Sequence, residues 1–441
     1  MLFCSRAFLV PRVSLRSRAW PAESRSLRVK AAQTGRGGRF PSTQLHCPAL
    51  EEVCAAWRGG RPSLSGWLKG AEAWRTPRLL VTSRNQALGE AFVLEVAAAT
   101  SDGARRVCDG VYVADAAPRS RLARMLSLRC EMVCLAVADS PLELVDRISE
   151  LNWAADTRLD GLSWELFHER RFDGGVAHVP SPEMHRLVRQ ACGRDSMPIA
   201  RGASKETSLR LAVLETASGC VFAVVTYAPA SSASIETAWV QKPHNYSAGL
   251  PMGLARLAVN LATELQPQSL SIADPCCGSG SILFAASCVG AKAVRGVELQ
   301  RAVAQMCRGN LAATRQVADA ERRRIASEAA EDCGGPGEID VVHADAMDVE
   351  LRCDVMVSNL PFGNWVAVGG KREGLALGVS HNAELPRLLG TLRGQATRHA
   401  FFSGEEGLGT ELSRLGYQGV REVCVDAVGR RWLTLACDTG G

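Results

Sequence analysis

The segment Asp274-Pro275-Cys276-Cys277-Gly278-Ser279-Gly280 puts a carboxylate, two thiols, a hydroxyl and two glycines within one turn. The apolar residues before it predict a strand ending on Asp274, and a helix is predicted to start near Ser281. Glycine lets the backbone approach a ligand closely, and a helix N-terminus offers unpaired N–H groups. Alone, such a turn would serve any tight strand-to-helix connection or another nucleotide. Glu298 adds chemistry, because it ends a second predicted strand twenty-four residues after Asp274. A carboxylate there can accept both ribose hydroxyls of a nucleoside ligand. Asp345 follows a third predicted strand, 339–343, and a fourth, 354–358, runs into Asn359-Leu360-Pro361-Phe362. Four consecutive strand ends thus carry polar residues, and in an open parallel sheet those ends line the ligand crevice.

Each of these residues has a plainer reading. Glu298 by itself is a solvated acid, and Asp345 either caps a loop or accepts from an adenine amino group. Asn and Pro favour turns, so 359–362 would also suit an ordinary strand exit. Lys371 and Arg372 follow Gly369-Gly370 and either grip phosphate or are solvated; His244 either caps a helix or touches a ligand. Their arrangement along one α/β pattern favours a ligand site.

The elements that must position these groups begin past Lys242, where helices and strands alternate as in a parallel α/β domain over 242–441. Residues 398–403 predict a fifth strand, and 417–427 with 431–436 a closing antiparallel hairpin. Upstream, short strands at 78–83, 107–113 and 131–138 mix with helices at 86–99, 119–128 and 141–151, the last capped by Ser140. This predicts a small ferredoxin-like α+β unit over 75–155. A second small unit over 156–230 carries a helix at 181–192 and strands at 208–214 and 220–226, and 229–234 reads as a turn-rich linker.

Composition sets outer bounds. In 441 residues, 46% apolar and 22% charged describe a globular chain of two or three domains, and no run approaches the length that spans a bilayer, so no membrane role is expected. Net charge is +5, but residues 1–40 hold eight Arg and one Lys against Glu23 and carry +8, leaving −3 for the remainder. That acid-poor, Arg- and Ser-rich start predicts an organelle transit peptide, for mitochondrion or plastid, with a basic RNA-touching arm and a cytoplasmic protein as the alternative. The sixteen Cys form no C-x-x-C pair, so neither a metal site nor a disulfide framework is expected.

Asp274-Pro275-Cys276-Cys277-Gly278-Ser279-Gly280 with Asn359-Leu360-Pro361-Phe362 resembles the S-adenosylmethionine-dependent amino-methyltransferases. More narrowly, the chain is similar to the THUMP-containing tRNA guanosine N2-methyltransferases and their RNA-methylase relatives. The stretch Lys242–Leu250, with the helix after it, resembles the cofactor-contacting segment those enzymes carry. Cys276 stands where relatives often have Met or Phe, and Leu360 replaces the first proline of Asn-Pro-Pro-Tyr, a form found in the THUMP-type subset.

The resemblance implies a Rossmann-like seven-stranded methyltransferase sheet preceded by ferredoxin-like and THUMP-like units. S-adenosylmethionine would be held by Asp274, Cys276, Gly278, Ser279, Gly280, Glu298, Asp345 and Asn359. Catalysis would fall to Asn359, Leu360, Pro361 and Phe362, and substrate contact to Phe362, Lys371 and Arg372. The implied partner is tRNA, with a small activating protein needed by some relatives. Protein glutamine and adenine N6 are alternative planar amines for the same motif, and a catalytically silent RNA-binding subunit is the alternative outside enzyme chemistry.

Overall fold

In the computed structural model, the described residues are 78–83, 88–101, 103–108, 110–114, 117–151, 163–171, 179–192, 208–216, 219–230, 233–245, 249–331, 337–361, 384–404, 406–426 and 431–438. They form two seven-stranded sheets. The expected transit segment 1–40 lies outside them.

The first sheet begins with β1 (Arg78–Thr82), α1 (Gly89–Thr100), β2 (Ala104–Cys108), β3 (Val111–Ala114), α2 (Arg119–Arg124) and β4 (Leu128–Ala138). Its strands run antiparallel in the order β2-β3-β1-β4, the ferredoxin-like arrangement of a βαββαβ chain. Val96 and Ala99 of α1 and Leu122 of α2 pack on Leu80 and Tyr112, burying the face that alternation assigns inward. The single strand expected at 107–113 is instead a hairpin. Gly110 at φ 68° turns the chain between β2 and β3, and Asp109-Gly110 is a dipeptide suited to such turns.

The second half adds α3 (Pro141–Ser149), β5 (Ser163–Arg170), α4 (Ser181–Ala191), β6 (Ser208–Thr216) and β7 (Gly219–Tyr227). Ser140 Oγ accepts from Glu143 N at 3.2 Å while Glu143 Oε2 accepts from Asp139 N at 3.2 Å, so α3 starts on two satisfied caps. β5 had no counterpart in the pattern, because 163–170 mixes charged and apolar residues. β4 pairs antiparallel with β7, so strands from 75–155 and from 156–230 share one sheet ordered β2-β3-β1-β4-β7-β6-β5.

That sheet is curled. Arg171, just past β5, donates from Nη2 to Thr82 O at the end of β1, 2.9 Å away. Four strand spacings separate those strands, about 19 Å if the sheet were flat, which is beyond the reach of an arginine. Leu79, Val81, Met132, Leu214 and Phe167 cluster on the face opposite the helices.

The C-terminal sheet follows α5 (Ala233–Val240) and α6 (Met252–Ala262). A helix therefore begins inside the segment expected as linker, and it stacks Trp239 on Phe284 at 5.0 Å. Next come β8 (Ser271–Asp274), α7 (Ser281–Val289), β9 (Ala293–Glu298), α8 (Arg301–Ala329), β10 (Glu338–His343) and β11 (Val355–Asn359). The chain ends with α9 (Glu384–Leu392), β12 (Arg398–Ser403), α10 (Leu408–Arg414), β13 (Gln418–Cys424) and β14 (Trp432–Cys437). The order is β10-β9-β8-β11-β12-β14-β13, parallel through β12 and antiparallel after it. This is the Rossmann-like methyltransferase sheet, with β14 inserted between β12 and β13. Strand order reverses between β8 and β11, the switch point where such sheets bind ligands.

The two sheets share a core. Ala91 and Phe92 of α1 belong to the same buried cluster as Leu257, Leu261 and Phe284 of the C-terminal domain. Among the described residues no helix is long and apolar enough to cross a membrane.

Candidate ligand crevice at the switch point

β8 is central and its end is dry, so Asp274 is 1% exposed. Its Oδ1 accepts from Cys276 N at 3.0 Å and from Ser358 Oγ of β11 at 2.8 Å. Burial pushes the Asp274 carboxyl up to about 7, against those two hydrogen bonds, which pull it down. Near neutral pH the group is thus balanced between acid and carboxylate, and a cationic ligand beside it would favour the charged form.

The turn is shaped by close approach. Cys277 N donates to Val297 O at 2.9 Å, tying the turn to β9. Gly280 sits at φ 96°, and a Cβ there would meet Cys307 Sγ at 2.8 Å. Gly278 takes φ 52°. A side chain at either position would be strained. α7 then starts directly from the turn, with its first N–H groups at the crevice. Ser279 is 3% exposed, and its buried Oγ has no hydrogen-bond partner. An orphaned hydroxyl beside a glycine turn suits a polar ligand that completes it.

Glu298 ends β9 in register with His343 of β10. Its Oε2 accepts from Gly278 N at 3.0 Å and its Oε1 from Gln300 N at 2.9 Å. Burial raises its pKa, while these N–H groups and His343 act the other way. Both oxygens keep further lone pairs for ribose hydroxyls. Asp345 lies in the next turn, and its Oδ1 accepts from Met347 N at 2.9 Å, so it does cap its own loop. Burial and the carboxylates of Asp274 and Glu298 push the Cys276 thiol well up, leaving it a neutral packing group.

Asn359 is the last residue of β11, opposite Phe402 of β12, with Leu360 buried behind it and Pro361 exposed. Asp274, Gly278, Ser279, Gly280, Glu298 and Asn359 thus gather at one end of the sheet, with Asp345 one turn further along. Phe362, Lys371 and Arg372 fall outside the described residues.

Three contributors had not been anticipated. Ser358 binds Asp274 and links the two strands that flank the switch point. Its signal was its place immediately before Asn359. Asn310 of α8 is fully buried; its Nδ2 donates to Ser279 O at 3.1 Å and His244 O at 3.0 Å, and its Oδ1 accepts from His244 N at 2.9 Å. It clamps the stretch beginning at Lys242 onto the glycine turn through the His244 backbone. No local pattern announces an asparagine in mid-helix with that task. Leu299, beside Glu298, is 46% exposed and offers an apolar surface at the crevice edge. Among the described residues no group of His, Cys, Asp and Glu is arranged to hold a metal ion.

Residues 240–390 match the UPF0020 family model, described as RMKL-like, methyltransferase domain. No curated protein matches the chain. Similar solved structures include TrmN from Thermus thermophilus, at 18% identity and TM-score 0.45, covering 82% of this chain and 99% of that one. SMU.472 complexed with SAH is 12% identical with TM-score 0.43, over 83% of this chain and 98% of that one. A predicted N6-adenine-specific DNA methylase from Listeria monocytogenes is 14% identical with TM-score 0.42, over 83% and 96%. Residues 240–390 thus resemble a methyltransferase domain.

Proposed function

We propose that this protein methylates the exocyclic N2 amine of a guanosine in tRNA. One observation carries the reading: Asn359 ends the strand beside Asp274, one residue after Ser358, whose hydroxyl bonds Asp274 at 2.8 Å. A motif suited to a planar amine therefore opens onto the cofactor crevice.

The residues that fit S-adenosylmethionine are the glycine turn, Ser279 with its orphaned hydroxyl, Asp274 and Glu298. When bound, the cofactor supplies a methyl group activated by a sulfonium. Glu298 would hold its ribose, and a positive charge brought near Asp274 would favour the ionised carboxylate. Asn359 and the Leu360 carbonyl accept the two amine hydrogens of the base. That aims the nitrogen lone pair and stabilises the positive charge that develops on it. A neutral amide does not take the proton, which leaves to water. Phe362 stacks on the flipped base, and Lys371 and Arg372 grip phosphate.

A curled sheet docked on the catalytic domain favours a structured RNA, and we read its second half as THUMP-like. Residues 1–40 direct the protein to an organelle in this reading. A small activating protein is a further partner to test.

The experiment is mass spectrometry of nucleosides from unmodified tRNA incubated with S-adenosylmethionine and the full chain. N2-methylguanosine is expected. Asn359→Ala is expected to lower its formation by roughly 100-fold, about 3 kcal/mol of barrier, with cofactor affinity within threefold. Methylated glutamine or N6-methyladenine in parallel assays, without N2-methylguanosine, would replace the substrate. An Asn359→Ala protein working at the wild-type rate would sink the role of the motif.

A further inference from the structure

The crevice has a back as well as a mouth. α7 starts at the glycine turn and α8 starts just after Glu298, so both helices present their N-termini to the cofactor site. Their other ends meet one side chain from the first sheet's helical layer. Arg124, the last residue of α2, is 3% exposed, and its Nε donates to Val289 O at the C-terminus of α7, 3.3 Å away. Its Nη2 bonds Glu331, just past α8, at 3.3 Å. Its Nη1 returns to Ser120 O at 2.9 Å, so all three nitrogens are engaged.

The residue is also gripped from its main chain. Asn260 of α6 donates from Nδ2 to Arg124 O at 2.9 Å and to Glu95 Oε1 of α1 at 2.8 Å. The Glu95 carboxylate, fully buried, accepts from Leu126 N at 2.9 Å and Ser127 N at 2.8 Å. Arg256 of α6 pairs with Glu321 of α8 at 3.4 Å and reaches Arg124 O at 3.5 Å. Tyr227 of β7 adds a bond to Glu328 near the end of α8 at 2.5 Å.

We propose that Arg124 is a positioning residue of the cofactor site, acting from the far ends of α7 and α8. The inference rests on reading the crevice as the S-adenosylmethionine site. A helix terminus leaves carbonyls without intrahelical partners, and a cation there also meets the negative end of the dipole. In α7, Ala291 N serves Ala286 O and Gly290 N serves Ser287 O. Arg124 serves Val289 O. α7 is nine residues, about 13 Å long, and in a close-packed core it shifts as a rod. A tilt allowed at Val289 therefore reaches Gly280, where a Cβ's worth of space is already missing beside Cys307. The second fixed end, Glu331, keeps α8 from sliding against α7 and so holds Asn310 under Ser279.

Calorimetric titration of the full-length variants with S-adenosylmethionine tests this. Arg124→Met keeps the apolar stem and removes every donor; it should weaken binding tenfold or more. Arg124→Lys, with its charge retained, should recover most of that loss. Glu331→Gln, a gentler change at a half-exposed group, should weaken binding two- to fivefold and covers the case in which Arg124→Met fails to fold. As a reference for mere destabilisation, Leu144→Ala, on the buried face of α3, should lower the melting temperature and leave affinity unchanged. Folded Arg124 and Glu331 variants that bind as wild type would overturn the positioning role alone. A wild-type protein that binds no S-adenosylmethionine would overturn the reading of the crevice as well.

Discussion

The two sheets have the same number of strands and are built from different kinds of contact. In the C-terminal sheet, each strand from β8 to β11 delivers one polar group at its end, and short turns set those groups in order. In the N-terminal sheet the decisive pairings are distant. Glu131 of β4 faces Tyr227 of β7, and Arg171 reaches back to Thr82. One sheet is organised around a crevice and the other around closure of its own surface. Damage to the first should therefore be read in ligand binding, and damage to the strands of the second, as distinct from the Arg124 contact on its helical layer, in stability.

The sharpest way to break this comparison is Phe222→Ala. Phe222 is fully buried between β6 and β4, in the half of the N-terminal sheet far from the crevice. The cavity should cost about 4 kcal/mol in denaturant unfolding. Cofactor affinity of the folded protein should stay within twofold, and a tenfold change would couple the strands of the N-terminal sheet to the crevice by a route other than Arg124.

Gly280→Ala is the converse. Positive φ and the 2.8 Å approach to Cys307 Sγ leave no room for a methyl group. We expect about 2 kcal/mol of lost stability. Cofactor binding should fall at least tenfold by calorimetry, out of proportion to the change in melting temperature.

Asp274→Asn gives the effect most specific to one group, read per pH unit. Burial pushes the native carboxyl up to about 7 from its ordinary 3.8. A raised native pKa means that stability is fully present below pH 4 and is lost as pH climbs through 7. Over that window the wild type should lose about 1 kcal/mol per pH unit relative to Asp274→Asn, which keeps the acceptor oxygen for Ser358. Melting curves of the two proteins from pH 5 to pH 8 measure this. Parallel curves would show that Asp274 does not feel its burial.

How much of this was legible in the chain follows the same division. Asp274, Glu298 and Asn359 were readable because each ends a strand whose apolar run is local, and Asp345 because it closely follows one; the parallel α/β pattern followed from their order, and the Rossmann-like sheet from the resemblance. The inserted position of β14 was not, since a hairpin pattern fixes its own pairing and leaves its neighbour open. Asn310 and Arg124 escaped for another reason. Each works through main-chain carbonyls brought near by tertiary packing, and nothing in the flanking residues marks them. The split of 107–113 into two strands was the avoidable miss, because Asp109-Gly110 is a dipeptide that favours turns.

The pairing of β4 with β7 has a practical side. β4 is eleven residues long and almost wholly buried, and β7 covers one of its edges. A fragment cut after residue 155 would present that edge bare, a long apolar row of unpaired N–H and C=O groups that templates aggregation. The same holds during synthesis, since the edge waits some ninety residues for its partner. Any division of this protein into soluble pieces has to leave 78–227 in one piece.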